Sequence, residues 1–298
     1  MLNKSTWYEK MCGLNLEKER DDRLSSNDRP VSVFFGILTR KFWSLIRLNM
    51  LHSILTAPAF LLVTAVVSGL LFPGMGDSAD GQIAQRIFIG FLCVSFSVVT
   101  VGPFQAGFAY VIRLYATEKN AFILHDYWKA ARENLKVSLT VSVIDIVAVI
   151  FMMTGYHFYS VMQGTLGGLA VILRILILII ALFYLTMHFY LYPMMVTVDL
   201  GVKELYGNAA RFAIGFPGPN MLMLLILFAF SFLIFSNTIL GIVIAFVIGY
   251  SINGLASGFY ALRGIDRYVV RKINPEGIYA PDLGEDPIKI LGVSQAMG

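Results

Sequence analysis

Between Ser44 and Leu262 the chain alternates apolar runs of membrane-crossing length with short segments that carry Lys and Arg. A helix rises about 1.5 Å per residue, so roughly 20 apolar residues cross a hydrocarbon core of about 30 Å. Six runs approach or exceed that length: Ser44 to Phe72, Ile87 to Tyr115, Val137 to Tyr156, Gly167 to Val196, Pro219 to Phe235 and Thr238 to Leu262. The cations sort by side. Nine Lys or Arg lie before or within the start of the first run, through Arg47; five lie from Arg113 to Lys136; Lys203 and Arg211 lie between the fourth and fifth runs; five follow from Arg263. Arg86 alone falls opposite, and Arg174 falls in or near the fourth run. That segregation predicts an all-α, polytopic bundle of six transmembrane helices with both termini in the cytoplasm.

Composition agrees with that class. Hydrophobic residues make up 57% of the chain and charged residues 14%, with a mean hydropathy of +0.71, whereas soluble domains carry about 25% charge. The net charge of +4 is spread over loops beside apolar runs, which suits anionic headgroups and not nucleic acid. Cys12 and Cys93 lack ligand spacing and belong to different phases, so neither a disulfide nor a metal site is expected. His52, His125, His157 and His188 are scattered, and no phosphate-cradling loop or nucleophile elbow occurs. The expectation is a protein without catalysis or cofactor.

Residues 1–30 hold six acidic and six basic side chains and lack the layout of a signal peptide, so they read as a cytoplasmic tail. The membrane domain is expected over residues 31–272. It opens with an interfacial elbow helix in which Phe34, Phe35, Leu38, Phe42 and Trp43 oppose Arg40 and Lys41. Pro58, Gly102-Pro103 and Pro193 mark kinks or unwound points. Residues 273–298, with Pro275, Pro281 and Pro287, read as a second cytoplasmic tail.

Polar residues inside the runs are the first functional lead, because a charge near the bilayer centre costs a few kcal/mol. By helical rise from the nearest basic or acidic boundary residue, Asp145 lies ~13 Å deep, His188 ~16 Å and Asn253 ~15 Å. They form the floor of a candidate polar cavity whose wall includes Gln105, Asn49, His52, Thr100 and Ser142. The same groups also suit hydrogen bonding between helices, and Asp145 also has Arg174 as a candidate partner. Both readings stay open on sequence.

Partner surfaces are the second lead. Amphipathic cytoplasmic helices are expected near 123–135, with Trp128 and Arg132, and near 202–215, with Arg211; each contains Ala-Ala-Arg. The segment KELYGNAARFAIG is similar to the Glu-Ala-Ala loop by which importer permeases meet their ATPase, but Asn208 replaces the acid and Gly215 falls one position late. In the sixth run Gly241, Ala245, Gly249, Asn253 and Ser257 share one stripe, flanked by Gly254 and Gly258. Small residues so placed admit a helix of this chain or of a partner.

Gly102-Pro103 after an apolar run, Tyr110 to Arg113, the HDYWKAARENLK segment, Asn49 in the first span after FFGILTRKFWSLIRLNM, and the block from Tyr190 to Gly215 occur together in this chain. From about Phe34 to Arg267 the chain thereby resembles the YesL-like family of bacterial integral membrane proteins. The resemblance implies a multi-pass protein of the bacterial cytoplasmic membrane, accessory to or regulating carbohydrate uptake. Expected partners are the lipid bilayer, permease or ATPase subunits of a sugar importer, or a second copy of the chain. The polar residues support an alternative expectation, a self-sufficient transporter or channel for a small polar solute around Asp145.

Overall fold

The structure, a computed structural model, describes residues 30–71, 79–95, 97 and 101–270. Residues 1–29 of the expected first tail and all of the second lie outside the described residues. The chain divides into two compact units, 1–40 and 41–298. The described part of the first is helix α1, Pro30–Arg40, in which Phe34 and Phe35 meet edge to face and Thr39 bonds back to the carbonyls of Phe35 and Gly36.

Among its described residues the second unit is built of helices joined by short turns and linkers. Helix α2 spans Phe42–Leu71 and keeps Pro58 in its interior. Helices α3, Ala79–Ser95, and α4, Gly102–Ala116, follow. The second apolar run is therefore two helices of 17 and 15 residues instead of one span. Pro103 lacks an amide donor and suits the first turn of a helix, which is where α4 begins. Val101 is extended, at φ −79° and ψ 97°, and Ser97 has φ 57°.

Amphipathic helix α5, Ile123–Glu133, folds back on α4. Asp126 accepts from the amide of Phe122 at 2.7 Å and closes its first turn. The chain continues through α6, Leu135–Val161, the single turn α7, Gln163–Leu166, and α8, Gly168–Met195. Helix α9, Val202–Gly215, folds back on α8 as α5 does on α4. Helix α10, Pro217–Ile234, and α11, Thr238–Ile244, are joined by a turn in which Asn237 caps the amide of Leu240. A π-helical turn at Ala245–Gly249 leads into α12, Tyr250–Ile265, and a second π turn covers Asp266–Val270.

Among the described residues, four helices are long and apolar enough to cross a membrane: α6, α8, α10 and the continuous run Thr238–Val270. Their outer faces expose large apolar side chains, among them Phe151, Ile172, Leu222, Phe232 and Ile239. A continuous apolar exterior of this kind suits lipid. The core lies around α4, whose side chains are nearly all buried between α5, α6, α8 and α12. Gly102 permits that crowding, since a Cβ there would stand 2.0 Å from the Ser138 carbonyl oxygen of α6.

Candidate functional site

Two of the three polar residues expected at one level meet. Asp145 of α6 and His188 of α8 are fully buried, with Nε2 and Oδ1 3.1 Å apart. Oδ1 also accepts hydrogen bonds from the Tyr184 hydroxyl at 2.6 Å and the Tyr206 hydroxyl at 2.8 Å, while Oδ2 has no partner. Nδ1 of His188 faces the Tyr184 carbonyl oxygen at 2.8 Å. A carbonyl only accepts, so Nδ1 carries a proton and Nε2 is the ring atom presented to Asp145. Nε2 lies off the hydrogen-bonding direction of Oδ1, so the 3.1 Å approach is an electrostatic contact and not an aligned bond. Arg174 does not reach this carboxylate. It donates to Gln163 at 2.8 Å, beside the α6–α8 turn.

Tyr206 comes from α9, the helix expected to rest on the membrane surface. Its hydroxyl enters the bundle because Leu205, Asn208, Ala209, Phe212 and Ala213 form the buried face of that helix. Burial, and then the nearby Asp145 carboxylate, hold its phenol above the ordinary tyrosine value. It therefore acts as a donor.

His188 also lines a cavity of about 30 Å³, with Ser95 and Ser97 at the end of α3, Gln105 of α4, His52 of α2, and Tyr250 and Ser257 of α12. The cavity lies where α3 stops and α4 begins, and is roughly the size of two waters. Two buried polar atoms of its lining residues lack hydrogen-bond partners, Ser95 Oγ and Gln105 Oε1, while His188 Nε2 is presented to Asp145. Gln105 spends its Nε2 on Ser97 Oγ at 2.5 Å. On the far wall His52 stacks on Phe108 with ring centroids 4.3 Å apart, and its Nδ1 lies 3.1 Å from the Tyr127 hydroxyl of α5. Burial alone pushes the Tyr127 phenol up.

Asn49 and Asn253 are placed elsewhere, and each joins helices. Asn49 Nδ2 donates to the carbonyls of Ala245 and Phe246 at 2.9 and 2.6 Å, and its Oδ1 accepts from the Ser251 amide at 2.8 Å. These are backbone groups in and just beyond the π turn, where widened spacing displaces the α-helical ladder. Asn253 Nδ2 donates to Ser231 of α10 at 3.2 Å, and its Oδ1 has no partner. Thr100 lies outside the described residues.

The candidate partner residues separate in the same way. Gly254 and Gly258 face Phe108 and Ile112 of α4, where a Cβ would come within 2.5 and 2.8 Å, and Gly249 faces Phe91 of α3. This stripe is covered by the chain's own helices. Trp128 and Arg132 line a shallow concavity on the outside of α5 with Leu124, His125, Lys129 and Glu133. Arg211 is exposed on α9, 3.3 Å from Asn208 Oδ1.

Sequence reasoning missed the tyrosines and one asparagine hub. Asn220 Oδ1 accepts from Tyr190 and Tyr260, each at 2.7 Å, while Nδ2 donates to the Phe212 and Ala213 carbonyls at the end of α9. For the tyrosines a signal existed. The shared Ala-Ala-Arg extends to Tyr-Xaa-Xaa-Ala-Ala-Arg, placing Tyr127 and Tyr206 at the same position of α5 and α9. Comparison with protein-family models, curated proteins and solved structures yields no match to this chain.

Proposed function

We propose that this protein moves a small polar solute across a membrane, using the cavity between His52, Gln105 and His188 as its binding position. The observation that carries this reading is that two buried polar atoms without hydrogen-bond partners, Ser95 Oγ and Gln105 Oε1, belong to residues lining one cavity at the interruption between α3 and α4. Non-helical backbone at membrane depth is tolerated where it lines such a space, and discontinuous helices form the midplane sites of many transporters. In this reading α2, and α3 with α4, complete a six-span arrangement around the four long apolar helices. Both termini lie on the Lys- and Arg-rich side, facing the cytoplasm of a bacterial cell, and no bond-making chemistry is involved.

The test replaces Ser95 and Gln105 by Cys, one at a time, in a chain whose Cys12 and Cys93 are Ser. Intact membranes are exposed to a charged, membrane-impermeant methanethiosulfonate on either side. A transporter opens this cavity to water, so both thiols should react from at least one side. Thiols inert from both sides over hours would sink the reading.

A second reading, accessory to a carbohydrate importer, is favoured by the outer face of α5. There Leu124 and Trp128 are exposed beside Lys129 and Arg132 in a shallow concavity suited to a partner helix. Affinity purification in mild detergent from cells grown on complex carbohydrate would recover permease or ATPase subunits in stoichiometric amount, and R132E would abolish that recovery. Recovery of the protein alone would leave the cavity as the site of function.

A further inference from the structure

We infer that Asp145 and His188 together form a proton-binding site at the wall of the cavity, holding one proton beyond that on His188 Nδ1 and exchanging it with cavity water. This inference rests on the cavity being the working site of a transporter.

The proton count follows from the bonding. Nδ1–H is committed to the Tyr184 carbonyl, and both phenols point their hydrogens at Asp145 Oδ1. With no further proton, a bare carboxylate would be buried with the Nε2 lone pair 3.1 Å away. The charge would then lack a counterion, since His188 is the ionisable base within 4 Å of Asp145 among the described residues. With two further protons a buried imidazolium would stand beside a neutral acid. Each extreme leaves one uncompensated charge in an apolar bundle, which is costly. One further proton leaves the pair neutral overall, as carboxylate with imidazolium or as acid with imidazole.

The proton also has a way out. His188 lines the cavity while Asp145 does not, so the ring stands between the carboxylate and the cavity. Exchange replaces one hydron of the pair by one hydron of cavity water, with no change in charge. The other titratable side chains facing this region are Tyr184 and Tyr192 of α8, Tyr206 of α9, and His52 and Tyr250 across the cavity.

The full-length protein in lipid bilayers at pH 7, labelled with 15N-histidine and 13C-aspartate, tests this by solid-state NMR and infrared spectroscopy. The expected result is either a His188 ring with hydrogen on both nitrogens or an acid carbonyl band from Asp145. That signal should respond to D2O within minutes and be lost in D145N; H188Q assigns the ring signal among four histidines. The wild-type spectra decide the proton count even where a variant folds poorly. A ring protonated only at Nδ1 beside an ionised Asp145 would overturn the inference, and so would an extra proton unchanged after a day in D2O. An exchanging proton with inert Ser95→Cys and Gln105→Cys thiols would retain the proton site and remove the transporter reading; reactive thiols without the proton would do the reverse.

Discussion

Replacing Asn49 tests whether the π turn of the last long helix is held from α2. Asn49→Ala leaves the carbonyls of Ala245 and Phe246 and the amide of Ser251 without the bonds they receive from this side chain. Ser53 Oγ, 3.4 Å from the Phe246 carbonyl, relieves part of the loss. Counting about 1 kcal/mol for each unmade bond gives a cost of roughly 2 to 3 kcal/mol. Asn49→Asp is the sharper change. It keeps the acceptor for Ser251 but sets a second carboxylate oxygen where the amide now stands 2.9 and 2.6 Å from two carbonyl oxygens. A buried charge facing acceptors costs about 3 to 5 kcal/mol, so N49D should be less stable than N49A although it changes fewer atoms. For a chain of this length 1 kcal/mol moves the melting temperature by roughly 2 to 4 °C, so N49A should melt ~5 to 10 °C below wild type and N49D lower still. Thermal ramps in mild detergent, read by size-exclusion of a fluorescent fusion, measure both. If N49D matched or exceeded N49A in stability, Asn49 would not be the donor that the π turn depends on.

Gly102→Ala should abolish the folded peak in the same assay, because a Cβ 2.0 Å from the Ser138 carbonyl oxygen drives α4 off α6, while Gly164→Ala, with nothing within 4 Å, should lie within about 0.5 kcal/mol of wild type. Tyr206→Phe removes one of two phenols from Asp145 and should cost about 1 to 3 kcal/mol; an unchanged melt would mean that Tyr184 alone satisfies the carboxylate. Tyr127 supplies a pH dependence. Burial raises its folded value above the unfolded ~10, so the fold favours the neutral phenol: its contribution is complete below about pH 10 and is lost as pH rises through the folded value. Tyr127→Phe should retain more of its neutral-pH stability at pH 11 than wild type does, as measured by parallel melts at the two pH values.

Long apolar periodicity made the helices legible, and the bounds of α8 and α9 fall within a residue or two of expectation because Gly167 and Gly215 punctuate them. Depth arithmetic placed Asp145 and His188 together, since two antiparallel helices of similar length leave little freedom in register. The same arithmetic placed Asn253 at the cavity floor by level alone, and Asn49 was set on its wall. Depth does not report azimuth: Asn49 points to the Ala245–Gly249 turn and Asn253 to Ser231. The second span was read as one element because its residues are uniformly apolar. Extended Val101 followed by Gly102-Pro103, which suits a helix start, begins a second helix there. Tyr184 and Tyr206 were not among the candidate site residues, although a buried tyrosine must send its hydroxyl to some partner.

The two fold-back helices unify these features. Linkers 117–122 and 196–201 are of equal length, so α4 with α5 and α8 with α9 align without a gap, bringing Tyr127 onto Tyr206. In that alignment Ala109 corresponds to His188, and both residues line the cavity. The α4–α5 pair thus leaves open the space that an imidazole fills in the α8–α9 pair, and His52 of α2 supplies the ring on that wall. Each tyrosine connects an amphipathic helix to one wall: Tyr127 through His52, Tyr206 through Asp145 to His188. A single phenol carries each connection, so displacing α5 or α9 from the bundle breaks one hydrogen bond close to the cavity. Events at the outer faces of these helices, including the Trp128 and Arg132 concavity, therefore have a short physical route to the buried polar site.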